Sequence, residues 1–256
     1  MNKTNYILLV LVFLTSCNTT QTENKSDNLL MATLYNNYAA EYDALAYQAY
    51  NIASYRIIEI KKAFPDRTDL AIVLDIDETV LNNSPYQAKL IHENISYDSC
   101  WNEWCNAALA KSIPGAIRFL DMADSLGFNI FYLSNRKEKY VKEGTIINMD
   151  SLGFPQVSED HFLLRTTDRS KTSRRELIEN NYEIVMLVGD NLGDFFEDST
   201  SPTERSTQVI EMQKEFGEKF IVLPNAMYGN WVDALGIRGD QGKIDSLLME
   251  MIGGTW

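Results

Sequence analysis

The sequence predicts an α/β domain, a Rossmann-like parallel sheet flanked by helices, with a helical extension on its N-terminal side. Three observations carry this. Four short apolar runs, at residues 70–74, 128–133, 184–188 and 220–223, are continuous rather than alternating, and each ends in polar residues. That is the pattern of strands buried on both faces. Helical patterns at 114–126, 139–152, 172–180 and 203–216 separate them, as parallel connections require. Finally, residues 29–64 contain neither Gly nor Pro and space many of their apolar residues, among them Leu30, Leu34, Tyr38, Tyr42, Leu45, Tyr50 and Ile57, by three or four. One or two long helices follow from that spacing.

The chain opens on Lys3, an apolar run at 6–14 (YILLVLVFL), and then Leu14-Thr15-Ser16-Cys17. A run this short falls below the roughly 20 residues of a bilayer-spanning helix and has the proportions of a signal-peptide core. Its end resembles a bacterial lipobox, with Leu at −3, small residues at −2 and −1, and Cys17 at +1 as the lipidated residue. Residues 1–16 therefore read as a lipoprotein signal peptide. Residues 17–28 read as a polar tether, because they lack apolar periodicity. The tether leads into the domain at 29–256, whose helical extension at 29–64 ends at Phe64-Pro65-Asp66. Farther along, Pro114 suits a first helical turn, and Gly127 and Gly153 suit helix ends.

Of 256 residues, 36 are acidic and 23 basic, giving a net charge of −13. This balance argues against a nucleic-acid partner, since phosphate backbones reward clustered Lys and Arg. A small phosphate ester is not excluded, because it needs only a few local donors and a cation. Two histidines, His92 and His161, cannot build a multi-histidine metal site, and neither sits at a predicted strand end, so both read as structural. Three cysteines cannot form a disulfide scaffold or a four-thiolate zinc site. On a helix Cys100 and Cys105 would face different directions, so they read as separate buried thiols.

In open parallel sheets ligands bind beyond the carboxyl ends of the strands. The polar residues there are Asp75 and Asp77, Ser134 and Asn135, and Asp190 and Asp194. Asp75, Asp77 and Glu78 place three acids within five residues, a repulsive arrangement that calls for a cation. Carboxylates with carbonyls and water form a hard oxygen shell suited to Mg²⁺. One carboxylate can attack phosphorus. Another can protonate the leaving oxygen and then activate water. Ser134, Asn135 and a lysine such as Lys171, after a strand at 162–164, can balance charge on phosphoryl oxygens.

LDIDETVLNNSPY, YLSNR, Lys171 and VGDNLGDF, taken together, resemble the four motifs of the haloacid dehalogenase-like phosphohydrolases. The nearer resemblance is to their four-aspartate subgroup, the class C, lipoprotein-type acid phosphatases and 5′-nucleotidases. CWNEWCNAA before IPGAIRFL, NYEIVMLVGDN and LPNAMYGNW resemble the same group, so the likeness runs over residues 30 to 250.

The resemblance implies a haloacid dehalogenase-like fold with a small helical cap insert at 82–113. It implies Asp75 as nucleophile and Mg²⁺ ligand, and Asp77 as acid/base with its backbone carbonyl on the metal. Asp190 would be a ligand, and Asp194 a ligand or the holder of a metal-bound water. Ser134 and Asn135 would hold phosphate beside Lys171, although Arg169, Arg174 and Arg175 share that segment and leave the choice of cation open. Trp104 and Tyr228 would stack on a nucleobase or nicotinamide ring, while Trp101 and Trp231 fit core packing equally well. The implied activity is hydrolysis of phosphomonoesters, nucleoside 5′-monophosphates or nicotinamide mononucleotide, by a protein anchored through lipid to a bacterial envelope, at the outer membrane. A homo-oligomer is compatible with it. Two other readings stay open: a non-catalytic envelope lipoprotein that captures haem or a nutrient on the same fold, which would have no need of the paired acids, and a phosphotransferase sharing the same intermediate.

Overall fold

A computed structural model describes residues 27–96, 100–197, 199, 201–236 and 250–251. The signal peptide, Cys17 and all but the last two residues of the tether lie outside the described residues. The extension is two helices, α1 (Asp27–Tyr38) and α2 (Ala40–Ala63). Glu41 and Asp43 in the first turn of α2 and Lys61 and Lys62 in its last complement the helix dipole. Tyr42, Ala46, Ala49, Tyr50, Ala53 and Ile57 form its buried stripe. The apolar residues of α1 do otherwise: Leu30, Met31, Leu34, Tyr35 and Tyr38 are exposed, whereas Thr33 and Asn36 are buried. Apolar spacing thus located α1 without indicating which side faces the protein.

The central strand is β1 (Leu70–Leu74), buried at every position. After it come β2 (Leu81–Asn82), α3 (Ser84–Glu93), α4 (Trp101–Ala107) and β3 (Lys111–Ser112). β2 and β3 pair antiparallel, so the two small helices leave and rejoin the domain at one place. Then α5 (Ala116–Ser125), β4 (Asn129–Lys137), α6 (Glu138–Ser151), β5 (Phe162–Arg165), α7 (Thr172–Glu179), β6 (Glu183–Gly189), α8 (Pro202–Glu211), β7 (Phe220–Val222) and α9 (Asn230–Ala234) complete the described elements. The five-stranded sheet runs β5-β4-β1-β6-β7, and all its pairings are parallel.

The two faces of the sheet bury separate cores. Ile72, Leu74, Ile130, Tyr132, Met186 and Val188 pack with α2 and α5 on one side. Ala71, Val73, Phe131, Leu133 and Leu187 pack with Ile178, Phe195 and Phe220 on the other. Continuous apolar strands are the result of covering both sides.

Two expected boundaries move. Pro114 precedes α5 instead of opening it, because Gly115 between them takes a left-handed turn (φ +91), where an added Cβ would meet Tyr50 at 3.2 Å. The helix expected to reach residue 216 ends at Glu211. Phe216 is drawn back onto Phe195 and Phe220, with ring centroids 6.0 and 5.7 Å away. Burying that ring outweighs another turn of helix. Cys100 and Cys105 are buried free thiols, and His161 is held by its Nδ1 against the Ile130 carbonyl at 2.6 Å.

Candidate active site

β1 lies between β4 and β6, so the loops leaving these three strands converge. Asp75 follows β1, Ser134 lies near the end of β4, and Asp190 follows β6. The loop after Asp75 is fixed from below, where the Tyr50 hydroxyl of α2 donates to the Thr79 carbonyl at 2.6 Å.

Carboxylate oxygens of Asp75, Asp190 and Asp194 lie within 4.8 Å of one another. The Lys171 ammonium donates to Asp75 and, at 2.6 Å, to Asp194. Asp190 accepts from the Asn225 amide at 2.8 Å, whose own oxygen accepts from the Met227 N–H at 2.9 Å. Gly189 makes room for this grouping: a Cβ there would overlap the Asp194 carboxylate.

Burial pushes the Asp75 carboxyl up to about 7, with Lys171 opposing and the Asp194 and Asp77 charges adding. Asp190 is raised as well, by burial first and then by Asp194 and Asp75. For Lys171, burial alone would lower the ammonium, but Asp194 and Asp75 outweigh it and raise it. With all three ionised, one lysine leaves two negative charges uncompensated by a cationic side chain hydrogen-bonded to them among the described residues. The donors are hard oxygens set close together. That donor set fits a divalent cation, which would rest on Asp75, Asp190 and Asp194.

Asp77 belongs to a different environment. Its carboxylate accepts from Arg136 Nε and Nη2 at 3.0 and 2.8 Å and from the Asn83 amide at 2.9 Å. Ser134 Oγ donates to its second oxygen at 3.3 Å. Arg136 is buried, and the Asp77 charge, against the opposing cost of burial, raises its already high pKa further. Glu78, counted among the acids that call for a cation, is not part of the Asp75, Asp190 and Asp194 group. It is fully buried at φ +57 and accepts from the Asn83 N–H at 2.7 Å. Burial, then Asp77 and Asp190, hold its carboxyl well above the usual range.

Asn135 is exposed, and its oxygen accepts from Arg174 Nη2 at 2.7 Å. Arg174 also donates to the Ser134 carbonyl at 2.7 Å, so this arginine braces the Ser134–Asn135 pair while Lys171 meets the carboxylates. Arg175 instead donates to the Gly193 and Asp194 carbonyls, each at 3.1 Å. Trp104 is half-buried, with its indole N–H on Asn83 Oδ1 at 2.7 Å. Trp101 packs edge-on against Tyr86 with centroids 5.0 Å apart, under the Arg136 guanidinium. Tyr228 is half-buried beside Gly229, where a Cβ would overlap the Asn191 amide next to Asp190. Trp231 is exposed and lines an apolar cleft with Leu192, Val209 and Ile210.

Sequence reasoning assigned nothing to Arg136, Asn83 or Asn225. Arg136 stands two residues beyond Ser134 on one strand, the spacing that returns a side chain to the same face. Asn225 ends the fourth apolar run, the one strand end left without a role. Asn83 carried no such signal.

The family model for HAD superfamily, subfamily IIIB (Acid phosphatase) matches residues 14–231. The class C acid phosphatase of Bacillus anthracis is 38% identical in sequence, with a TM-score of 0.83, over 88% of this chain and 96% of that one. The same enzyme with tungstate bound gives 38% identity and a TM-score of 0.83, over 89% of this chain and 97% of that one. Acid phosphatase 1 of Solanum lycopersicum is 27% identical over 137 residues, 50% of this chain and 53% of that protein. A Glycine max stem 28 kDa glycoprotein is 33% identical over 133 residues, 48% of this chain and 51% of that protein. The chain spans about half the length of the curated relatives it matches.

The raised carboxyls make a prediction about metal and pH. A carboxyl whose folded pKa lies above its unfolded value lends stability that is complete below the unfolded value, 3.8 here, and is lost as pH rises through about 7. Protein in EDTA should therefore melt at a lower temperature at about pH 8 than at about pH 5, and Mg²⁺ should raise the melting temperature more at the higher pH. Equal Mg²⁺ increments at the two pH values would show that these carboxylates do not bind the ion.

Proposed function

Because the chain belongs to subfamily IIIB of the HAD superfamily, the acid phosphatases, we propose that it is a metal-dependent phosphomonoesterase acting through an aspartyl-phosphate. The observation that carries this reading is the separation of two neighbouring carboxylates: Asp75 with Lys171 among the clustered acids, Asp77 with Arg136 and Asn83 apart from them. Tungstate is an oxyanion of phosphate-like shape, and its presence in the Bacillus anthracis relative agrees with a phosphoryl site.

In the first step an Asp75 oxygen bonds to phosphorus as the bond to the leaving alcohol breaks, and Asp77 gives that alcohol its proton. In the second, the Asp77 carboxylate takes a proton from water, whose oxygen attacks the aspartyl-phosphate. Inorganic phosphate leaves and Asp75 is restored. Mg²⁺ held by Asp75, Asp190, Asp194 and the Asp77 carbonyl would offset charge on the transferring group. Lys171 supplies a further positive charge, and Ser134 and Asn135 bind phosphoryl oxygens. The Asn135 amide is oriented for this, since Arg174 holds its oxygen and leaves its N–H bonds as the end available to an anion.

The substrates we propose are nucleoside 5′-monophosphates and nicotinamide mononucleotide, their rings resting on Trp104 and Tyr228. Cys17 would carry lipid and hold the enzyme at the outer membrane of a bacterial envelope.

Three experiments test this. Asp75→Asn should fold and lose several orders of magnitude in kcat on any phosphomonoester, because an amide is a poor nucleophile; a variant keeping a tenth of wild-type activity would remove Asp75 from that role. Tyr228→Ala should raise KM for a nucleoside 5′-monophosphate roughly five- to 150-fold, as loss of about 1–3 kcal/mol of stacking implies, and far less for a small aryl phosphate. Equal effects on both esters would leave a phosphatase without nucleotide preference. Cys17→Ser should shift the protein from the detergent to the aqueous phase on phase separation, and its retention in detergent would exclude a Cys17 anchor.

A further inference from the structure

Trp104 has a second task if the phosphatase reading holds, and its indole nitrogen defines it. An indole N–H can only donate, and this one points at an oxygen of a fully buried amide, Asn83 Oδ1, at 2.7 Å. The alternative flip would set the Asn83 N–H bonds against the indole N–H and its oxygen against a carboxylate. Trp104 therefore makes the shortest of the contacts that set Nδ2 as the end facing Asp77 Oδ1, at 2.9 Å; Arg136 Nη2 on the same Asn83 oxygen at 3.5 Å and the Nδ2 bond to Glu78 at 3.3 Å are longer. The Asn83 backbone N–H is secured separately on Glu78 at 2.7 Å, so the residue cannot swing away as a unit.

Asp77 then has two unequal oxygens. Oδ1 accepts from Asn83 Nδ2, Arg136 Nε and Arg136 Nη2, at 2.9, 3.0 and 2.8 Å. Oδ2 has only the longer contacts, from Ser134 Oγ and Arg136 Nε, both at 3.3 Å. Arg136 is itself fixed, because its Nη1 donates at 2.9 Å to Thr145 Oγ1, which passes its own hydrogen to the Val141 carbonyl at 2.7 Å. Donors crowd one oxygen from behind and leave the other beside Ser134, where the transferring group would be held.

We infer that Trp104 is a positioning residue for the general acid: through the Asn83 amide it turns the Asp77 carboxyl so that Oδ2 is the oxygen presented to the leaving group. This role is separate from stacking, which uses the ring and not the N–H.

Trp104→Phe separates the two, because it keeps an aromatic ring and removes the N–H. The esters to compare are a nucleoside 5′-monophosphate, whose alcohol leaves only with a proton, and 2,4-dinitrophenyl phosphate, whose phenolate leaves without one. General-acid help is worth about 10²–10⁴-fold. Because Asp77 also activates water in the second step, which both esters share, the first step is compared alone, as the single-turnover rate of alcohol or phenolate release at saturating ester. The ratio of that rate on the nucleotide to that on the dinitrophenyl ester should fall about tenfold or more in Trp104→Phe, with little change in KM for the nucleotide. An equal loss of release rate on both esters, or none on the nucleotide, would overturn the positioning role. A double-mutant cycle checks the route: Asn83→Ala with Trp104→Phe should be no slower on the nucleotide than Asn83→Ala alone, and multiplying losses would show that Trp104 does not act through Asn83. If Asn83→Ala does not fold, the two-ester comparison in Trp104→Phe decides by itself. A wild-type protein inert on both esters would overturn the phosphatase reading and this role with it; an active wild type whose variant loses release rate equally on both overturns this role alone.

Discussion

Three carboxylates, those of Asp75 and Asp194 buried and that of Asp190 half-buried, and one ammonium meet at the end of the central strand, and much of the architecture follows from keeping them together. Like charges in a dehydrated place repel strongly. Asp75, Asp190 and Asp194 nevertheless converge, because Lys171 bridges two of them and Asn225 supports the third. What remains is a deficit of positive charge that a divalent cation and its hard oxygen shell would fill. The groups come from the ends of four strands, Asp75 after β1, Lys171 after β5, Asp190 and Asp194 after β6 and Asn225 after β7, so the grouping exists only when the sheet is complete.

The scaffold can be understood as the means of holding that deficit still. β1 has hydrogen-bonded neighbours on both sides, and its side chains are covered on both faces. Its end is therefore held from four directions before Asp75 is reached. α2 adds a fifth constraint through Tyr50 and the Thr79 carbonyl. The absence of a side chain at Gly189 lets Asp194 lie against the strand. A looser framework would allow the carboxylates to separate into water, where their repulsion costs little.

Asp75 and Asp77 are two residues apart yet chemically distinct, and environment alone separates them. The first shares a lysine with another acid and belongs to the clustered carboxylates. The second sits under an arginine and an amide that address one of its oxygens. Two carboxylates given different neighbours can take different parts in one reaction. The small insert contributes Trp104 to the second environment, so the element expected to touch the organic part of a substrate also touches the network around the acid. Under the proposed function, substrate binding and proton transfer would thereby be connected through one buried asparagine.

The sequence by itself determined the strands, the helices that alternate with them and the acids at the strand ends, because each of these is a local pattern. A strand covered on both faces must be apolar throughout, and polarity must resume where it leaves the sheet. Asp75, Ser134 and Asp190 were legible for that reason. Tertiary structure alone decided which acids cluster and which do not: Glu78 lies three residues from Asp75 but turns to Asn83, while Asp190 is far along the chain yet follows β6, the strand paired with β1. It also decided that Arg136 pairs with Asp77 across 59 positions of chain and that Trp104 reaches Asn83 across 21. It decided, too, that α1 turns its apolar residues outward. Hydrogen bonds and ion pairs of this kind depend on distances that close only after the sheet is assembled, and no periodicity in the chain encodes them.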